Sequence, residues 1–111
     1  MPNILILLGK LLTIINARVG TGASDTFALP SRTCILTWQT TFDVAPAVID
    51  IDIDVSLDGT AWTTIDTSTA VGGEVRVIAA ATGALFIRAI VNTNTGNRAV
   101  TLTLVAKVAN P

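Results

Sequence analysis

Residues 49–62 read IDIDIDVSLDGTAW. Every second position from Ile49 to Leu57 is apolar (Ile49, Ile51, Ile53, Val55, Leu57), with Asp50, Asp52, Asp54 and Ser56 between them. A period of two marks a strand with one buried face, and it predicts a strand over 47–57. Asp58-Gly59 follows, with strand-like residues on both sides. Glycine tolerates positive φ and aspartate accepts it better than most residues, so the pair predicts a hairpin turn. TAWTTIDT, 60–67, is the return strand.

Three evenly spaced carboxylates have three readings: a metal site, an acid/base pair, or the wet side of a sheet. Alternate residues of a strand lie about 6.6–6.8 Å apart on one face. Calcium requires six to eight oxygens converging at about 2.3–2.6 Å, whereas a straight strand splays its carboxylates. An EF-hand-like loop starting at Asp50 would need glycine where Val55 stands and glutamate where Ala61 stands. A calcium site near Asp50, Asp52, Asp54 and Asp58, or one using Asp66, would need further oxygens from loops. A glycosidase pair needs a cleft in which one acid is buried and raised in pKa, and a row of alike aspartates gives no reason for one to differ. The reading adopted is a solvated face whose charges meet water or arginines on neighbouring strands.

The same alternation runs outward from this hairpin. RTCILTWQTTF, 32–42, sets Arg32, Cys34, Leu36, Trp38 and Thr40 on one face. FDVAPAV, 42–48, is a loop. STAVGG, 68–73, is a loop ahead of the short strand EVRVIAA, 74–80. ATG, 81–83, and TNTGN, 93–97, are turns around the strand ALFIRAIVN, 84–92. RAVTLTLVAKV, 98–108, points Val100, Leu102, Leu104, Ala106 and Val108 inward, with Thr101, Thr103 and Lys107 outward. Seven or eight strands on short turns, with no helix-period segment after residue 18, predict an all-β antiparallel sandwich, jelly-roll or immunoglobulin-like.

Composition narrows the chemistry. The 111 residues make one domain, half of them hydrophobic and 14% charged, with 17 threonines. A net charge of −1 and scattered lysines and arginines argue against a nucleic-acid partner. With a single cysteine, no intrachain disulfide forms. The chain lacks histidine and tyrosine, so no Ser-His-Asp or Cys-His arrangement can be built, and no cofactor is expected. Cys34 reads as a buried, inert thiol. Trp38 reads as packing, and Trp62, just past the turn, is the candidate ligand contact.

The N-terminus, MPNILILLGKLLTIINAR, has no basic residue ahead of its apolar run, and Lys10 interrupts it. It does not read as a signal peptide or a membrane span, so a soluble, unprocessed chain made in the cytoplasm is expected. Ile4, Leu8, Leu11 and Ile15 fit a helical stripe, while Gly9 and the isoleucines favour a strand or extended arm. GTGAS, 20–24, reads as a connector. The expected division is an N-terminal arm or short helix over 1–18 used in assembly, and a sandwich over 19–111. Such an excess of apolar residues either completes its own sandwich or docks on another subunit. The second is favoured, with Ile4, Leu5, Leu7, Leu8, Leu11 and Leu12 as the interface. Deleting residues 1–12 would then leave a folded domain that no longer assembles.

GASDTFALPSRT, TWQ, SLDGTAWTTIDTSTA, GEVRV and FIRAIV, in that order, resemble small β-sandwich virion structural proteins of tailed bacteriophages, over Leu11 to Val108. The most specific piece is SLDGTAWTTID, 56–66, supported by LFIRAIV, 85–91, although S-x-DG-x-x-W hairpins also occur in some carbohydrate-binding sandwiches. The resemblance implies a non-enzymatic capsid decoration (cement) protein. It would be a homo-oligomer, expected as a trimer, that binds the major capsid protein, stabilises the head lattice and joins the virion in the host cytoplasm, with neither nucleic acid nor membrane as partner. The alternative is a tail-fibre or head-surface module that contacts host glycans through Trp62.

Overall fold

A computed structural model describes residues 4–30 and 33–108. The strands, in chain order, are β1 (Ile4–Leu5), β2 (Leu12–Arg18), β3 (Gly22–Ala23), β4 (Phe27–Ala28), β5 (Cys34–Phe42), β6 (Ile49–Ser56), β7 (Thr63–Ser68), β8 (Glu74–Thr82), β9 (Phe86–Asn94) and β10 (Val100–Val108). They form two sheets packed as a sandwich. One runs β1-β4-β9-β6-β7, with β3 also on β9, and the other runs β2-β10-β5-β8. Pairing is antiparallel except between β1 and β4.

The pairings nest. β6 pairs with β7, β5 with β8, β3 and β4 with β9, and β2 with β10. The chain is thus one long hairpin whose tip is the 57–62 turn, rolled so that successive pairs fall in alternate layers. Cross-links β6–β9 and β5–β10 then complete each sheet.

Period-two patterning decides which side chains fill the interior. Ile49, Ile51 and Ile53 of β6 are buried, as are Cys34, Leu36 and Trp38 of β5 and Val100, Leu102, Leu104 and Ala106 of β10. Ile87, Ala89 and Val91 complete the centre from β9. Each buried aliphatic side chain contributes about 1.5–3 kcal/mol. The expected inward sets fail at their ends. Leu57 lies past the end of β6, in the turn, and is 70% exposed, and Val108, at the last pair of β10, is 41% exposed. Arg32 lies outside the described residues.

The N-terminal segment is not the expected short helix, since the described residues contain no helix, and the strand alternative holds in β2 (Leu12–Arg18). β1 lies against β4, the Ile6 amide donates to the Ala28 carbonyl, and the Gly9 amide donates to the Ala106 carbonyl in the other sheet. The segment thus bridges the two layers and continues into β2. Ile6, Ile14 and Ile15 are buried in the core, and Leu8 and Leu12 pack against it. Part of the segment's apolar surface is therefore buried within the chain, while Leu5, Leu7 and Leu11 stay exposed. The GTGAS connector and the residues after it contribute β3 and β4, too short to show a period.

Glycines at positive φ shape two of the turns. Gly59, φ 78°, closes the hairpin tip. Gly73, φ 79°, precedes β8, and a Cβ there would collide with the Thr40 carbonyl oxygen. Gly72, next to it, has open space and no positive φ. Gly73→Ala is expected to lower stability by about 1–3 kcal/mol, and Gly72→Ala to change it by less than about 0.5 kcal/mol. Denaturant unfolding of the two variants reads the contrast directly, and equal effects would contradict this account of the turn.

Candidate functional site

The acid row lies on the outer face of the β1-β4-β9-β6-β7 sheet, and its members have different surroundings. Asp54 is 5% exposed. Its Oδ2 accepts from Arg88 Nε at 3.2 Å and its Oδ1 from the Thr64 hydroxyl at 2.7 Å. The register places Arg88 and Thr64 opposite Asp54 on either side, so the ion pair is a cross-strand contact on one face. Asp52 accepts from the Thr67 hydroxyl at 2.6 Å and from Asn92 Nδ2 at 2.7 Å. Asp50 has one buried oxygen, Oδ1, with no hydrogen-bond donor. Asp52 and Asp54 go to separate partners rather than to a shared point. Among the described residues, no three histidine, cysteine, aspartate or glutamate side chains converge as metal ligands.

Asp58 and Asp66, the other candidate calcium ligands, are engaged elsewhere. Asp58 Oδ1 accepts from the amides of Thr60 and Ala61 at 2.8 and 2.9 Å and from the Ser56 hydroxyl at 3.0 Å. Those amides hold its carboxyl below the usual range. The Ser56 oxygen in turn accepts from the amides of Asp58 and Gly59. The aspartate in this turn is thus a backbone clamp. An open groove of about 370 Å³ runs beside it, lined by Val55, Leu57, Ala61 and Ala84 among others. Asp58 is its one titratable group.

Trp62 is half-buried against the outer face. The Arg88 guanidinium carbon sits 4.4 Å from its ring centroid, a cation–π contact. Asp54, Arg88 and Trp62 therefore form one stack, and Arg88 occupies a ring face on which a sugar would otherwise lie. Among the expected interface residues, Leu5, Leu7 and Leu11 are exposed, whereas Leu8 and Leu12 are partly buried in their own core. The Ile4 side chain lies outside the described residues. Cys34 is buried, and that burial pushes its thiol pKa up, away from the reactive thiolate.

One cluster escaped the sequence reading. Asp66 faces inward opposite Ile53, after a bulge that leaves Ile65 unpaired. Its Oδ2 accepts from the Trp38 indole at 2.8 Å, and its carboxylate pairs with Arg76 at 2.9 Å. Arg76 also reaches Glu74 at 3.0 Å. Glu74 accepts from the Ser68 hydroxyl at 2.9 Å, and the Glu74 amide donates to the Thr40 hydroxyl. This network ties β7 of one sheet to β8 of the other where the apolar core ends. Its trace in the sequence is the inverted alternation of EVRV, in which Glu74 and Arg76 share the parity of buried Ile78 while Val75 and Val77 face out.

Burial opposes ionisation of Asp66, but the hydrogen bonds from Arg76 and Trp38 outweigh it and hold its pKa below the ordinary value. A depressed carboxyl stabilises the fold above the unfolded-state pKa of about 3.9, and that contribution fades as pH falls through the folded pKa. Asp66→Asn is therefore expected to lower the melting temperature at pH 7, and the gap from wild type should narrow as pH falls below about 4. A gap that stays constant from pH 7 to 2.5 would contradict this. No family model matches the chain, and no curated protein matches it.

Proposed function

We propose that the chain is a non-enzymatic structural component of a virion, a capsid decoration protein built as a jelly roll. The observation that carries this reading is the nesting of strand pairs around the 57–62 tip. A rolled hairpin in two four-strand layers is the jelly-roll plan, and viral capsid and lectin domains use it. An immunoglobulin-like sandwich would instead place its strands as ABED over CFG. β1 and β3 are accessory to the eight principal strands.

The surface chemistry fits a passive shell part. Asp52 and Asp54 are tied to threonine, asparagine and arginine side chains, and Asp58 beside the groove is engaged by Ser56 and the turn amides. Leu5 and Leu7, exposed at the sheet margin beside β4, supply apolar area for the major capsid protein. Attachment there would hold neighbouring capsid subunits together from outside.

Mixing the protein with empty heads of the virus that encodes it tests the proposal. The chain is expected to co-sediment with them and to raise their melting temperature, and a Leu5→Asp, Leu7→Asp variant should lose both effects. Absence of co-sedimentation, with glycan binding that disappears on Trp62→Ala, would favour a host-glycan module instead.

A further inference from the structure

The two outer faces of the sandwich differ in kind. One carries the tethered aspartates and Arg88. The other, on the β2-β10-β5-β8 sheet, is almost uncharged. Val77 of β8 lies beside Thr37 of β5, which lies beside Val105 of β10. Leu11, just ahead of β2, extends this row, and Ile35 and Val75 flank it. Leu11, Val75 and Val77 are 70%, 59% and 63% exposed. In the paired outward rows of β10, β5 and the described part of β8, Lys107 is the one charged side chain, and it lies near the rim.

We propose that this face is a self-association surface on which a second copy of the chain stacks sheet upon sheet. β8 supplies the first argument. Its outward row carries Val75 and Val77, where a solvent-facing row carries polar side chains. Area supplies the second. Three strands of nine residues run about 30 Å and the seven residues of β2 about 24 Å, and at about 4.8 Å spacing they make a plane of roughly 550 Å². Stable pairs bury about 600–1,000 Å² per partner, and the face with its flanking Leu11 comes close to the lower bound. Charge supplies the third. A regular valine–threonine face with no net sign matches a surface of the same kind, and a two-fold axis sets the identical patch against itself. A partner recognised through charge would leave these rows unused. The surface is distinct from Leu5 and Leu7, and the inference does not depend on the virion reading.

Sedimentation equilibrium of the full chain from 1 to 200 µM tests this. A dimer is expected, and Val77→Lys should raise its dissociation constant at least about tenfold, because the charge enters a two-fold pair twice. Near-UV circular dichroism from Trp38 checks that the variant is folded. If Val77→Lys loses that signal, the isosteric Val75→Thr, Val77→Thr double variant takes its place, again with weakened pairing expected. A wild-type chain that stays monomeric at 200 µM, a trimer, or a dimer unaffected by the folded variant would each overturn the proposal.

Discussion

Strand β6 must present its isoleucines to the interior while pairing with β7 on one side and β9 on the other. Side chains alternate strictly along a strand, so a slip of one residue would put Ile49, Ile51 and Ile53 in water and three aspartates in the core. The dry face therefore specifies the register strongly. Because β6 is also one arm of the hairpin at the tip, fixing its register fixes where the roll begins. The remaining pairs follow outward: β5 with β8, then β9 with β3 and β4, then β10 with β2. The Asp58 clamp serves the same end, since it locks the turn from which the register is counted.

Periodicity shows in a sequence only where a strand is long and has one dry face. β5, β6 and β10 meet that condition, and their interior residues could be read directly from Cys34, Leu36, Trp38, Ile49, Ile51, Ile53 and Val100 to Ala106. β1, β3 and β4 have two residues each and carry no period. β2 pairs through a bulge that buries both Ile14 and Ile15, so its pattern falls between strand and helix. The placement of Leu57 and Val108 failed for a common reason. A sequence shows where alternation continues but not where the opposing layer stops.

The candidate site was less legible because it depends on partners distant in sequence. That the aspartates lie on the outer face follows from alternation. That Asp54 is buried beneath Arg88 and beside Trp62 does not, since those residues meet it only through the β6–β9 pairing and the fold-back of the hairpin. Asp66 is harder still. A bulge puts it on the inner face, and its indole and guanidinium partners come from the opposite sheet. EVRV held the one local trace, as charges on the parity of a buried isoleucine. The same trace reveals the contrast between the outer faces, because inward charges on β8 leave valines outside.

The Asp66–Arg76–Glu74 network also bears on how the molecule behaves when crowded. β7 and β8 are the free margins of the two layers on the same side, and unpaired backbone at such margins invites strands from other molecules to add on. Ionised side chains turned inward there, together with the β7 bulge, make that addition costly, because an arriving strand would have to strip water from the charges and flatten the twist. The cluster that seals the end of the core is thus of the kind by which sheet proteins discourage edge-to-edge addition, set here at the margin of a chain rich in threonine and valine.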